Sequence, residues 1–529
     1  MSTGAGRSDG APGRSGDVVV APRLATSGTV NLAIWLGLTA WFFLLYQTQP
    51  LYFSNQNTKF LHGAAQAGLG LLSEDWQANT KNGLPLFTVY VEFALAAIGP
   101  IVFYLTQAAL FGVFLCGLYA VARLAVAPGR HAAAFSALFI AIAALSHFKN
   151  GGGRLWEGLA QQYLVAPMLE PQNFGVFFLI SIALFFNRRP GAACWTAVLP
   201  VAMHPGYVVP GAMLLGGFLI AAYRHRDALA PPGLLASLAL AGTVVGHAVF
   251  LANAFPATSP EAWARAAEII SQYRIPDHSN VTRFLDIDTA FKAAMVAGAV
   301  WLSWGRPLGT FIAVVGGLIF ITSAAKEVLD SDELGLIAPW RASTYLVPTA
   351  FSVVLAHACL WAVRRYSDGA ASVRRRLKGA ATVLALFAVA ATGEALWEKW
   401  DRYVASEKDD YYHFVQKTAQ SGEIYLTRVR DADFRMTTST PQYVSWKTHP
   451  YQDSEVIEWF RRINTARQIF RNEDASCAEL ERLAGEEGVT HLVARLGERP
   501  ATCGIAREVF KGARYGVYRL DRAPLHSAN

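Results

Sequence analysis

Apolar residues along this chain fall into blocks. They cover 29–46, 98–122, 132–147, 174–186, 192–203, 208–222, 234–252, 291–304, 308–323, 344–363 and 380–397, with short polar stretches between them. A helix rises 1.5 Å per residue, so a block of roughly 20 residues crosses ~30 Å of hydrocarbon. The pattern predicts an all-α polytopic membrane bundle of about eleven transmembrane helices over 29–397. Longer polar stretches at 48–97, 148–170, 253–290 and 324–343 form loops on one side. Residues 398–529 lose the apolar blocks and alternate short runs of two kinds. The stretches 423–429, 434–438, 489–495 and 515–520 read as strands, and 454–469 and 477–487 as helices, which predicts a small α/β domain. The Gly-, Ser- and Pro-rich segment 1–28 reads as a disordered tail.

Composition supports the membrane reading. Hydrophobic residues make up 53% and charged residues 16%, against ~25% charged in a soluble domain. That balance excludes a disordered or fibrous chain. The net charge of +7 could suggest nucleic acid, but its placement points to topology. One set of loops, with the N-terminal tail, holds 16 Lys and Arg against four acids, while the alternate loops are longer and acidic on balance. By the positive-inside rule the basic side is cytoplasmic, and an odd number of spans exports the C-terminal domain to the periplasmic or extracellular face. The first block is followed by Gln47-Thr48-Gln49-Pro50, which offers no small-residue cleavage site, so it reads as a retained signal anchor. Cys116, Cys194 and Cys359 fall in apolar blocks. Cys477 and Cys503, the two in the exported domain, either form a disulfide there or remain free thiols.

Span centres are nearly free of charge, with His247 and His357 the main titratable exceptions, which argues against an ion-coupled transporter. Polar chemistry gathers in the loops instead. The first carries Asn55, Asn57, Lys59 and His62, then the adjacent carboxylates Glu74 and Asp75 between Leu72 and Trp76. A carboxylate at the membrane surface can accept a proton from an acceptor hydroxyl or hold a divalent cation, the one cofactor this pair suggests. The plainer reading is an acidic pair capping a helix. Candidate cations for a departing phosphate are Lys149, Arg154, His204, Lys326 and Arg341. Arg341 beside Trp340 also reads as a snorkelling arginine. Gln172 and Asn173 in Glu170-Pro-Gln-Asn173 offer hydrogen bonds to sugar hydroxyls, or simply a helix cap. In the C-terminal domain Arg435, Thr437, Thr438, Pro441, Lys447 and the Glu458-Trp459 helix read mostly as surface, with some of them able to face the membrane site and bind acceptor.

An acidic pair in the first outward loop, directly after the first span, resembles the signature of the GT-C superfamily of polytopic glycosyltransferases. The span count, the cytoplasmic N-terminus and the exported α/β domain are similar to its bacterial members. The resemblance implies a sugar donor linked to polyprenyl phosphate and an envelope acceptor such as lipid A, a cell-wall glycan or an exopolysaccharide. It also implies that Asp75 or Glu74 is the catalytic base. Arg341, His204, Arg154, Lys149 and Lys326 would then hold the donor phosphate. Asn55, Asn57, Lys59, His62, Trp76, Gln172 and Asn173 would contact sugar or acceptor. No W-W-D-type motif of the oligosaccharyltransferases is present, which argues against a peptide acceptor. A transporter or flippase for lipid-linked glycans, or a non-catalytic envelope assembly protein, remains the alternative.

Overall fold

A computed structural model describes residues 28–47, 49–148, 153–404, 409–471 and 476–521. The predicted tail and Lys149 lie outside the described residues.

The apolar blocks are helices, and the chain is a helical membrane protein with a small α/β domain. Six helical segments among the described residues are long and apolar enough to cross a membrane: Ile101–Ala125, Pro205–Arg224, Leu234–Ala254, Pro307–Leu329, Asp332–Asp368 and Ala371–Arg402. Five more apolar helices, Leu32–Tyr46, Pro85–Ala97, Gly129–Leu145, Pro171–Phe186 and Pro190–Met203, are only 10–17 residues long. The expectation of about eleven spans is corrected to six candidate spans among the described residues, and with an even count the parity argument for an exported C-terminal domain lapses. Proline and glycine set the lengths. Gly99 adopts φ +102° and Pro100 follows, so Pro85–Ala97 ends before Ile101–Ala125 begins. Likewise, His204-Pro205 ends Pro190–Met203.

Aromatic packing fills the bundle. Phe42 and Phe114 meet around His147 with Phe111 packed on Phe42, and Phe185 stacks on Phe218 with centroids 4.1 Å apart. Close helix approach needs small residues at particular points: a Cβ at Gly117 would lie 2.7 Å from the Leu179 side chain.

Helix Ala371–Val404 runs past the expected domain boundary at 397/398 and leads toward the second domain. There a four-stranded sheet has the order β1 (Tyr425–Leu426), β2 (His491–Arg495), β4 (Tyr515–Leu520), β3 (Ala506–Lys511). The first pair is parallel and the other two are antiparallel. The expected strand at 434–438 is instead a helical turn, Phe434–Thr438, and that at 423–429 shrinks to two residues. The expected helices are present as Asp453–Arg471 and Ser476–Glu486. Cys477 and Cys503 form a disulfide.

The domain's core is shared with the membrane domain's loops. Ala266, Ile269 and Ile270 are buried against Val456, Trp459 and Ile463, with Trp76 packed alongside. Polar contacts reinforce this: Thr258 donates to Asp453 through its amide (2.7 Å) and its hydroxyl (2.6 Å), and Lys81 Nζ donates to Gln452 at 2.9 Å. The loops 48–97 and 253–290 therefore form the seat on which the C-terminal domain is held.

Candidate functional site

The acidic pair splits into two different environments. Glu74 is exposed and accepts hydrogen bonds from the Ser421 hydroxyl (2.7 Å) and the Gly422 amide (2.8 Å), which hold its carboxyl below its ordinary value. Asp75 is completely buried. Its Oδ1 accepts from the Gln77 amide at 2.8 Å, starting the turn Gln77–Asn79; its Oδ2 accepts from Arg435 Nε at 2.6 Å and the Gln442 amide at 2.9 Å. Arg435, read from sequence as surface, is 1% exposed. Asp75 is thus consumed as a clasp between the two domains, with both oxygens occupied. It is not placed as a general base, and no group of three or more His, Cys, Asp and Glu that could hold a metal occurs among the described residues.

Several other expected contacts are structural too. Asn57 is buried and donates to Asp433 at 3.0 Å, and His62 pairs with the Thr80 carbonyl at 3.0 Å. Trp76 lies under the Arg462 guanidinium at 4.3 Å. Asn173 caps the turn Pro171–Gly175, its Oδ1 accepting from the Glu170 amide, while the Gln172 carbonyl accepts from the Tyr207 hydroxyl at 2.7 Å. Lys326 is buried 3.5 Å from Glu327. Arg154 sits in the turn Gly153–Trp156.

The remaining expectations converge elsewhere, around Glu170. This carboxyl is fully buried at the N-terminal edge of Pro171–Gly175. Its Oε2 accepts from Asn55 Nδ2 at 3.2 Å, and Oε1 lies 3.5 Å from the Tyr163 hydroxyl. Burial pushes its carboxyl up to about 7, with Asn55, Lys59 and Lys447 pulling partly the other way.

Lys59 donates to the Tyr451 hydroxyl at 2.8 Å. Arg341 Nε donates to Gln162 Oε1 at 3.0 Å, and its Nη1 lies against Gly206, where any Cβ would collide with it. His204 Nδ1 accepts from the Gly206 amide at 2.9 Å, and burial with the nearby Arg341 and Lys59 keeps its imidazole neutral. The C-terminal domain adds Lys447 and His449, and loop 253–290 adds Arg274, which donates to the Lys447 carbonyl at 2.8 Å. His449 is held down to about 3 by burial and by Arg274, Lys59 and Lys447.

Among the described residues none of Lys59, Arg274, Arg341 and Lys447 makes an ion pair. Each is half-buried; Arg274, Lys59 and Lys447 act on His449 while Arg341 and Lys59 act on His204, so the four gather in one cationic cluster where the loops meet the C-terminal domain. Taking cations out of water without counter-charge is costly. A concentration of four such groups beside carboxyls as few as Glu170 and Glu157 suits an anionic ligand.

Sequence reasoning placed Glu170 in a segment offering hydrogen bonds to sugar hydroxyls but missed it as an acid–base group, and missed Arg274 and His449. A signal for the first was present: one carboxylate closing the otherwise apolar run Leu164-Val-Ala-Pro-Met-Leu169.

A family model described as a domain of unknown function (DUF6798) matches residues 407–466. That stretch carries Arg435, Lys447, His449 and Tyr451, the domain's contribution to both clasp and cluster, and ends before strands β2 to β4. No curated protein matches the chain.

Proposed function

We propose that the protein is a membrane glycosyltransferase of the GT-C type, moving a sugar from a polyprenyl-phosphate donor to an envelope acceptor at the outer face of a bacterial cytoplasmic membrane. The observation that carries this reading is a cluster of four cations without ion pairs among the described residues, two of which, Lys59 and Lys447, act on the buried Glu170 carboxyl. Arg341, Lys59, Lys447 and Arg274 would bind the donor phosphate and stabilise the charge that grows on it as the glycosidic bond breaks. Glu170, equally buried but held by the neutral Asn55 and Tyr163 where Asp75 is ion-paired with Arg435, replaces Asp75 as the proposed base, and an acceptor hydroxyl would take the place of one of those two contacts. A carboxyl with its pKa near 7 can accept the acceptor hydroxyl's proton at neutral pH and return it to water. His204, kept neutral, and Asn55 would orient substrate hydroxyls. The Cys477–Cys503 disulfide supports an exported C-terminal domain, because such bonds persist in oxidising compartments.

The test uses the full chain in proteoliposomes with polyprenyl-phosphate-linked sugars, following release of polyprenyl phosphate and sugar incorporation into an envelope extract. Transfer that Glu170→Gln abolishes and Arg341→Gln weakens is expected. Donor that is neither bound nor consumed, or a Glu170→Gln chain with undiminished transfer, would sink the proposal. Donor that instead appears intact on the opposite leaflet would favour the flippase reading.

A further inference from the structure

A second concentration of charge lies on the C-terminal domain. It is a groove of about 320 Å³ walled by Arg428 and Arg430 after β1 and by Arg467, Phe470 and Arg471 on the last turns of Asp453–Arg471. The spacing of four residues puts Arg467 and Arg471 on one helix face. Glu498 answers Arg428 alone. Arg430, Arg467 and Arg471 have no ion-pair partner among the described residues, and the buried Nε of Arg428 has no hydrogen-bond acceptor. Burial and its two arginine neighbours push the Arg467 guanidinium down, as expected where like charges crowd without an anion.

One residue touches both the groove and the cationic cluster. Trp446 donates its amide to the Val429 carbonyl at 2.7 Å, and the Arg467 guanidinium lies 4.2 Å from its ring. Arg274 of the cluster lies 5.8 Å from the same ring, and Lys447 is the next residue.

We propose that this groove binds an acidic glycan through its carboxylate or phosphate groups and directs one end of it toward the cationic cluster. Only its role as acceptor site rests on the transferase reading; the binding itself does not. Guanidinium forks match carboxylates and phosphates in pairs. Phe470 and Trp446 supply apolar faces for sugar rings between the charges. The volume is at the low end of small-ligand sites, ~300 Å³, which suits a short run of sugars. A nucleic-acid strand would be tracked by a longer stripe with successive stacking platforms.

The experiment titrates the full chain, in nanodiscs of neutral lipid, with trigalacturonate, maltotriose and a short single-stranded DNA. Trigalacturonate is expected to bind with an affinity that falls as salt rises, and maltotriose to bind at least about tenfold more weakly. Arg430→Gln with Arg467→Gln should weaken trigalacturonate binding by about tenfold or more and leave polyprenyl-phosphate binding unchanged. Should the double variant fail to fold, as read by its thermal midpoint, Arg430→Gln alone is the probe, since Arg430 is exposed. Maltotriose binding as tight as trigalacturonate, DNA binding tighter than either, or an affinity indifferent to the substitutions would overturn the proposal. If polyprenyl phosphate does not bind but trigalacturonate still does with the same sensitivity, the transferase reading fails and the groove stands.

Discussion

Arg435 and Asp75 are 360 positions apart in sequence and form a fully buried ion pair, Nε to Oδ2 at 2.6 Å, that ties the C-terminal domain to the first loop of the membrane domain. The surrounding amides complete the carboxylate, so neither oxygen is left for a substrate. The pair also explains why an acidic residue at that position is needed irrespective of catalysis.

Asp75→Asn is expected to destabilise the protein by about 3–5 kcal/mol, because Arg435 would then be buried without a counter-charge. Combining it with Arg435→Met should recover part of that loss. Glu74→Gln, at an exposed site, should stay within about 0.5 kcal/mol of the parent. Denaturant unfolding in detergent measures all three, and a stable but inactive Asp75→Asn would return the base role to Asp75.

Glu170 gives a signed pH prediction. Its carboxyl rises from 4.5 in the open chain to about 7 when folded. Between those values the folded state binds the extra proton, so this residue's contribution is full below pH ~4.5 and is lost as pH rises through ~7. Glu170→Gln should therefore gain up to about 3 kcal/mol relative to the parent at pH 8 and nothing at pH 4.5. His449, held down to about 3, acts in the opposite sense, losing stability as pH falls below 6.5, so the readout is the difference between parent and variant. A pH-independent difference would show that Glu170 is not a buried titrating group.

Gly206→Ala tests the phosphate site without touching a charge. A Cβ there meets the end of the flexible Arg341 side chain and, at 2.9 Å, the His204 ring, so the guanidinium must move and the imidazole shift slightly while the fold persists. Affinity for polyprenyl phosphate should fall roughly tenfold, as for loss of one charged hydrogen bond, with an unchanged thermal midpoint.

The disulfide closes a loop of 26 residues between helix Ser476–Glu486 and the segment before β3. Its removal by Cys477→Ser with Cys503→Ser should cost about 3.5 kcal/mol on the loop-closure account. Unfolding of the variant against the parent, both oxidised, checks it.

Hydropathy made the bundle and its following domain legible, since long apolar runs and the amphipathic stretch 454–469 carry period and length together. It overcounted spans because apolar blocks of only 12–18 residues, such as 29–46, 174–186 and 192–203, read as crossings, whereas the helices they form are only 10–17 residues long. The strand expected at 434–438 failed for a tertiary reason: Arg435 and Phe434 must face inward on one turn to reach Asp75 and Tyr411. Arg341, His204, Lys59 and Asn55 were visible as isolated polar residues at helix ends. Their association with Glu170 was not, because it depends on loops far apart in sequence folding against one another. The acidic dipeptide misled for the complementary reason: adjacency in sequence hides that Glu74 faces water and Asp75 faces Arg435.

Lys447, His449 and Tyr451 follow every apolar helix in the order of synthesis, yet they join a cluster begun by residues 55–59 and 162–170. During translation residues 55–59 and 162–170 are made well before Lys447, His449 and Tyr451 have left the ribosome. A nascent chain therefore carries only part of the phosphate-binding charge, and the cluster is complete only once the final domain has docked.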